Sequence, residues 1–164
     1  MLPRLVFTAG FDPFQVFINI GTGSPASHAA LGIGDQLLHA YEDGVILEPR
    51  SAWFGKMQQR LVAEFLILPD IEDGLDLAFA QIGKRYDAAG VIRAIIARLL
   101  RLTMSPIRNL GPAPMNAHTC AAFVMLVDPY GQRIPEWRDL DRTTIVPADL
   151  MALASMGPSF QRVV

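Results

Sequence analysis

Short apolar runs separated by tight-turn signals are the feature that most constrains how this chain folds. The runs occupy residues 28–34, 37–41 and 45–47. Gly34-Asp35 and Asp43-Gly44 separate them, and glycine and aspartate readily adopt the backbone conformations of two-residue hairpin turns. The pattern therefore predicts consecutive antiparallel strands joined by hairpins.

Two more runs extend this β-rich half of the chain. Leu5–Phe7 has the composition of a strand, and Leu61–Leu68 is a longer β-like run that Pro69 ends. The run Phe14–Ile20 is compatible with either a helix or a strand at this length. We therefore expect a small antiparallel sheet of about five strands.

The second half of the chain reads as helical. The expected helices run from Asp70 to about Ile82, from Ala88 to Met104, from Thr119 to about Val127 and from Pro147 to Met156. Asp87 is the expected N-cap of the second of these helices. Strands followed by helices are typical of the α+β class. Because neither an internal repeat nor a flexible linker divides the sequence, residues 1–164 are expected to form a single domain.

The composition argues against several classes of protein. Apolar residues make up 51% of the chain and charged residues 18%, which is incompatible with a disordered or low-complexity polypeptide. The net charge of −2 argues against a nucleic-acid binder, which needs a basic face. The lone cysteine excludes an intrachain disulfide. Asp12 and Pro13 interrupt the short apolar stretch near the N-terminus, so we expect no signal peptide and a cytoplasmic or virion-associated protein.

Cys120 stands at the expected start of a short helix. Unpaired N–H groups at a helix N-terminus stabilise a thiolate and lower the pKa of a cysteine. The same N–H groups can hold the oxyanion that forms during acyl transfer. A nucleophilic cysteine is therefore one interpretation, and a buried, unreactive thiol is the alternative.

Two of the three histidines flank the first predicted hairpin. A two-residue turn at 34–35 places Ala30 opposite His39, and His28 shares a face with Ala30 because side chains alternate along a strand. His28 and His39 are then diagonal neighbours, with backbones about 7–8 Å apart. This arrangement suits a base, His28, that a second imidazole orients for a nucleophilic cysteine. The alternative is a pair of unrelated surface histidines.

Zinc binding is another use of the same side chains. Three imidazoles and one thiolate form a chemically suitable ligand set for zinc. The candidate ligands are His28, His39, His118 and Cys120. His118 and Cys120 are only two positions apart, and a helix does not direct such positions to the same side. We therefore expect neither a metal nor another cofactor.

Five groups of segments, taken in order, resemble the permuted papain-like hydrolases, which are circularly permuted relatives of the NlpC-type amidases. That family includes the YiiX-like proteins and lecithin:retinol acyltransferase. The similar segments are the Ser-His strand Gly23–Ile33, the strands at 38–40 and 44–49, the Gly-x-x-Tyr-Asp segment Gly83–Asp87, the nucleophile segment Cys120–Val124 and the closing Pro-x-Asp-Leu segment Val146–Leu150. The resemblance covers the chain from about Gly23 to Met151.

The resemblance implies a permuted papain-like fold and a cysteine hydrolase that cleaves an amide bond through an acyl-enzyme. The implied substrate is a peptide, a peptidoglycan stem or another acyl compound. Cys120 would be the nucleophile, His28 the base and His39 the residue that orients the base. Tyr86 and His118 would line the substrate site, and His118 is the alternative to His39 as third member of the catalytic group.

Two further functions compete with this one. The helix Ala88–Met104 carries Arg93, Arg98 and Arg101 within an arc of about 140°. Such a helix suits an anionic membrane surface and hence a lipid-directed acyltransferase or thioesterase. Packing of the helix into the core or against a neighbouring subunit is the simpler explanation. The third function is that of a non-catalytic component of a larger assembly, such as a phage tail, with residues 88–104 contacting other subunits of the phage particle.

Overall fold

The computed structural model of the protein describes residues 2–56, 59–103, 117–142 and 144–164. The strands are β1 (Arg4–Ala9), β2 (His28–Ile33), β3 (Gln36–Tyr41), β4 (Gly44–Pro49), β5 (Arg60–Ile67), β6 (Arg85–Tyr86), β7 (Ala117–His118) and β8 (Phe160–Arg162). The α-helices are α1 (Pro13–Thr22), α2 (Arg50–Gly55), α3 (Glu72–Phe79), α4 (Ala88–Thr103), α5 (Cys120–Val124) and α6 (Pro147–Met156). Short 3₁₀ helices span Met125–Val127 and Pro135–Trp137.

The strands form a six-stranded antiparallel sheet in the order β4-β3-β2-β1-β5-β8. The predicted α+β class is confirmed, and the sheet contains one strand more than the expected five. The additional strand is β8, which pairs with β5 after the last helix. Because β8 has only three residues, its side chains are too few to display the alternation from which a strand is predicted.

The first hairpin has the predicted register. Ile33 pairs with Gln36, which leaves Gly34 and Asp35 as the two turn residues, and Gly34 has a φ of 62°. This positive φ is typical of the hairpin turns that glycine favours. The register of β3 against β2 therefore follows from the turn, and with it the face to which each side chain of β3 points.

Different groups of side chains pack on the two faces of the sheet. Ala29 and Leu31 of β2 belong to the main core, which the sheet forms together with α3, α5 and α6. Ala30 points to the opposite side, where it packs in a smaller cluster with Trp53 of α2. The ring of His28 lies on that second side too, since its centroid is 4.8 Å from that of Trp53. The sheet thus separates most of the main core from a buried histidine–tryptophan layer.

The segment that the sequence left undecided forms α1. Asp12 caps this helix by accepting a hydrogen bond from the backbone N–H of Gln15 at 2.9 Å, and a left-handed glycine, Gly23, ends it. One face of α1 packs against α4 through Ile18, which contacts a buried pair on that helix. Asp87 caps α4 as expected, because its Oδ1 accepts from the N–H of Gly90 at 2.7 Å.

No helix in the described ranges is long and apolar enough to cross a membrane.

A close backbone contact anchors the segment that follows Cys120. Helix α3 packs at Gly74 against Val127 in the 3₁₀ helix that continues from α5. A Cβ atom at position 74 would overlap the carbonyl group of Val127, which is backbone and cannot rotate away. The absence of a side chain at this position is therefore what allows α3 to approach the end of the cysteine helix.

We predict that Gly74→Ala lowers the free energy of unfolding by about 3 kcal/mol, because the added methyl group forces the two backbones apart. The sign of this change distinguishes the close contact from the general effect of the substitution. Alanine in place of a helical glycine otherwise stabilises a protein by up to about 1 kcal/mol. Gly55→Ala in α2 is the matched control, because an added Cβ there meets open space. Urea denaturation of the two variants checks the prediction, and equal stabilities would contradict it.

Candidate active site

Cys120 is the first residue of α5, and the residue before it caps the helix. The Oγ1 of Thr119 accepts a hydrogen bond from the N–H of Ala122 at 3.1 Å. The thiol is buried, with only 2% of the residue exposed. Backbone N–H groups of Ala29, Ala121 and Cys120 itself are directed to the sulfur. Three amide dipoles thus surround one sulfur atom, and one of the three belongs to the sheet rather than to the helix.

Burial raises the pKa of the Cys120 thiol to about 11, although the N–H groups of Ala29, Ala121 and Cys120 act to lower it. The expectation of a lowered cysteine pKa is therefore wrong in its net direction. The sequence indicated the helix N-terminus, which contributes as expected, but it did not show that the sulfur is removed from water. The thiol is accordingly protonated at neutral pH, and a nucleophilic role requires a base.

The two histidines of the first hairpin form the pair that the register predicted. Nε2 of His28 lies 2.8 Å from Nδ1 of His39, and both residues are buried, His28 with 1% of its surface exposed. The ring of Trp53 packs against both imidazoles, with centroids 4.8 Å from His28 and 4.6 Å from His39. The alternative of two unrelated surface histidines is excluded, because neither residue reaches the surface.

A carboxylate completes the chain of hydrogen bonds. Oε1 of Glu48, on β4, lies 3.0 Å from Nε2 of His39, and its other oxygen is 2.9 Å from Nζ of Lys56. Sequence reasoning did not identify Glu48 as part of the site. The one indication in the sequence was that Glu48 is a charged residue in an otherwise apolar strand. Its proximity to His39 depends on the register between β3 and β4, in which His39 pairs with Ile46, two residues before Glu48.

The direction of these hydrogen bonds can be deduced from the carboxylate. An ionised carboxylate only accepts, so Nε2 of His39 carries the proton that is donated to Glu48. In a neutral imidazole the other nitrogen is then an acceptor, and Nδ1 of His39 accepts from the N–H at Nε2 of His28. Nδ1 of His28 is consequently unprotonated, which is the state that a general base needs.

Burial also explains why both imidazoles are neutral. Burial and the neighbouring His39 lower the pKa of His28 well below its usual value of 6.5. Burial likewise lowers the pKa of His39 to about 4, even though the hydrogen bond and charge of Glu48 act in the opposite direction. Uncharged rings and a protonated thiol are therefore the resting state at neutral pH.

Cys120 and the histidine pair meet at the backbone of β2. The N–H that Ala29 directs to the sulfur belongs to the residue that follows His28, so the thiol lies beside the main chain at that histidine. Within the described ranges, the hydrogen bond of the His28 ring runs to His39, and none joins that ring to the thiol of Cys120. The structure thus brings the three predicted residues to one region and joins two of them directly.

Tyr86 and His118 lie next to each other, and the ring of Tyr41 lies between Tyr86 and the histidine pair, with its centroid 6.2 Å from that of Tyr86 and 5.5 Å from that of His28. They pair in the short parallel ladder of β6 and β7, which leads directly into Cys120. Burial raises the pKa of Tyr86 well above its usual value, and a negative charge on Cys120 would raise it further, so the two side chains are neighbours. Nε2 of His118 lies 3.3 Å from Oε1 of Gln81. The geometry therefore favours His39 over His118 as the partner of His28.

The four side chains considered as zinc ligands do not form one cluster among the residues that the structure describes. His118 hydrogen-bonds Gln81, whereas His28 and His39 bond each other. In the described portion of the chain, no group of three or more histidine, cysteine, aspartate or glutamate side chains is arranged to hold a metal ion.

The comparisons with protein families and with curated proteins find no relative of this chain. No protein-family model matches it, and no curated protein matches it significantly. The resemblance to the permuted papain-like hydrolases therefore stays a prediction that rests on the order of the segments.

Proposed function

We propose that this protein is a cysteine hydrolase that cleaves an amide bond through an acyl-enzyme on Cys120. The hydrogen-bond chain from Glu48 through His39 to His28 carries the proposal, because its direction leaves Nδ1 of His28 as a proton acceptor. The thiol lies beside the same stretch of β2, since it contacts the N–H of Ala29. A nucleophile, a base and a group that orients the base are the three parts that nucleophilic catalysis requires.

The proposed reaction begins when Nδ1 of His28 takes the thiol proton as the sulfur of Cys120 attacks the carbonyl carbon. Backbone N–H groups at the start of α5, including that of Cys120, stabilise the oxyanion of the tetrahedral intermediate. His28 then returns the proton to the leaving nitrogen, so the C–N bond breaks and a thioester forms. In the second half, His28 takes a proton from water as the water attacks the thioester, and the released sulfur is reprotonated.

The pKa of Cys120 explains why a base is necessary. With a pKa of about 11, a thiol is ionised to about one part in 10⁴ at pH 7. A positioned general base typically raises the reaction rate by 10² to 10⁴-fold. This gain is similar in size to the loss of rate that is expected when so little of the thiol is ionised. We therefore propose that the proton is transferred during the attack of the sulfur, and that no thiolate–imidazolium pair is formed beforehand.

A lipid-directed acyltransferase or thioesterase is the second candidate. The same thiol chemistry attacks esters and thioesters, so the catalytic group by itself does not select the amide. The observation in favour of a lipid substrate is the exposure of large apolar side chains on α1 and α4, among them Ile20 and Ile92. A peptide or peptidoglycan amide is the first candidate because the sequence resemblance implies it.

The test is capture of the acyl-enzyme. Incubation of the folded protein with p-nitrophenyl acetate is expected to add one acetyl group to Cys120, located by peptide mass spectrometry. Hydrolysis of a panel of peptide amides and phospholipid esters then separates the two substrate classes. A protein that hydrolyses one of these substrates without any acyl group on Cys120 would contradict the proposal.

We predict that Glu48→Gln lowers kcat by about 10²-fold, because an amide can donate to His39 and so reverse the hydrogen-bond direction. The reversed chain places a proton on Nδ1 of His28, which then cannot act as a base. Lys56→Gln is the matched control, since it removes the other partner of the carboxylate and leaves the carboxylate in place. The pH–rate profiles check this prediction, and an equal loss in both variants would refute the positioning role.

A further inference from the structure

The positive charge that arises when the thiol gives up its proton must rest on a buried side chain. His28 has 1% of its surface exposed and His39 has 0%. A buried charge is costly unless an opposite charge lies against it. His28 packs against three uncharged rings, those of His39, Trp53 and Tyr41. The carboxylate of Glu48 contacts His39, with its Oε1 3.0 Å from Nε2, so a positive charge is better compensated on His39 than on His28.

A single hydrogen bond joins the two possible positions of this charge. The N–H at Nε2 of His28 is directed to Nδ1 of His39, and the two nitrogens are 2.8 Å apart. Because donor and acceptor are both imidazoles, their reference pKa values are equal and the surroundings decide which ring holds the proton. The aspartate of a serine-protease triad is a far weaker base and does not become protonated. A second imidazole in that position can accept a proton where an aspartate cannot.

The surroundings of the two rings favour the proton on His39. Burial and the neighbouring His39 both lower the pKa of His28. Burial lowers the pKa of His39 as well, but the hydrogen bond and the charge of Glu48 act to raise it. Lys56 opposes Glu48, yet its side chain is 47% exposed and water screens its charge. Tyr41, which also contacts His28, keeps its proton because burial raises its pKa to about 12.

We propose that a relay of two protons places the positive charge on His39 during the attack of Cys120. As Nδ1 of His28 takes the thiol proton, the proton at Nε2 of His28 passes to Nδ1 of His39. The S–H bond and the Nε2–H bond break, and a new N–H bond forms at Nδ1 of each ring. When His28 gives its proton to the leaving nitrogen, His39 returns the other proton to Nε2 of His28.

The relay changes the role of the second histidine. His28 stays neutral and only exchanges the nitrogen that carries its proton, while His39 becomes an imidazolium that donates to Glu48. His39 is then a second proton acceptor as well as the residue that orients the base. This inference rests on the proposed hydrolase function, in which Cys120 and His28 begin the reaction.

The solvent isotope effect on the acylation of Cys120 by p-nitrophenyl acetate tests the relay. In His39→Gln the amide can accept from His28 and donate to Glu48 in the same arrangement, but it cannot take up a proton. We therefore expect the ratio of rates in light and heavy water to be about twofold larger in the wild type, and the rate of His39→Gln to be about 10²-fold lower. The thiol is protonated at neutral pH in both proteins, so its own isotopic contribution cancels in the comparison.

Two further variants complete the kinetic experiment. His118→Gln is the matched control, because His118 hydrogen-bonds Gln81 outside the chain, and its rate and isotope effect should equal those of the wild type. Equal isotope effects in the wild type and in His39→Gln, or a rate of His39→Gln close to that of the wild type, overturn the relay and leave the hydrolase proposal standing. A rate that His28→Ala does not lower overturns the hydrolase proposal itself, and the relay with it.

Nitrogen NMR of the wild type with labelled histidines is a second measurement, and it needs neither a variant nor catalysis. The pKa of His39 of about 4 sets the pH range in which the pair takes up its first proton. The relay predicts that His39 then becomes the imidazolium, while the proton of His28 moves from Nε2 to Nδ1. An imidazolium at His28 beside a neutral His39 would overturn the relay, whatever the activity of the protein.

Discussion

Cys120→Ala is expected to lower turnover by about 10⁴-fold or more, because it removes the atom that would form the acyl-enzyme. The substitution deletes one buried sulfur and is expected to cost only about 1 kcal/mol of stability. The loss of activity therefore cannot be attributed to unfolding. Steady-state hydrolysis of the substrate identified in the panel, together with urea denaturation, measures both quantities on the same preparation.

Cys120→Ser supplies the companion measurement. Serine restores a hydroxyl group of similar size beside the N–H groups of Ala29 and Ala121, but a buried hydroxyl is a far weaker nucleophile than a thiol. We expect kcat to stay within about tenfold of that of the alanine variant. Substantial turnover in Cys120→Ala would show that the thiol is part of the core and that the chemistry lies elsewhere.

His28→Ala is expected to lower kcat by about 10³-fold, because the thiol then has no base to accept its proton. The effect depends on pH in a defined direction. Because the pKa of His28 lies well below 6.5, the wild type should keep its activity below pH 6.5, where an ordinary histidine becomes protonated. The variant should instead gain rate with rising pH, as the thiol with a pKa of about 11 ionises.

A second substitution separates catalysis from folding. His28→Ala leaves a space beside Trp53, whereas the side chain of His28→Gln partly fills it and can still donate a hydrogen bond to His39. An amide is no base, so both variants should lose turnover to a similar extent. If His28→Gln keeps most of the activity, His28 is a packing residue and not the base.

The histidine pair illustrates what the sequence could predict. A two-residue turn at Gly34 and Asp35 fixes the register of the hairpin, and the alternation of side chains then places His28 and His39 on one face. The observed pairing of Ile33 with Gln36 and the hydrogen bond of 2.8 Å follow from that register. This part of the site is local in sequence, so local rules were sufficient.

Glu48 and Trp53 were not predicted because their contribution depends on contacts between segments. Glu48 reaches His39 only through the pairing of β3 with β4, and Trp53 covers the two imidazoles only because α2 folds back onto the sheet. The shifted pKa of Cys120 has the same origin. A helix start is visible in the sequence, but the burial of the thiol depends on how α5 packs against the sheet.

Secondary structure could not be predicted from the sequence where the element is short. Phe14–Ile20 is too short to distinguish a helix from a strand by periodicity alone, and it became helical with Asp12 as its cap. Strand β8 has three residues and shows no period at all. The prediction of a helix ending at Met104 concerns a residue outside the described ranges, and α4 is described to Thr103.

The rate at which p-nitrophenyl acetate acylates Cys120, measured against pH in the wild type and in His28→Ala, tests the central claim most directly. If a neutral His28 removes the proton, the wild-type rate should be nearly constant from about pH 6.5 to 8, because His28 stays unprotonated throughout. The His28→Ala rate should be lower and rise about tenfold per pH unit, following the ionisation of the thiol. A wild type with the same rate and the same tenfold rise as the variant would contradict the account and show that His28 is not the base.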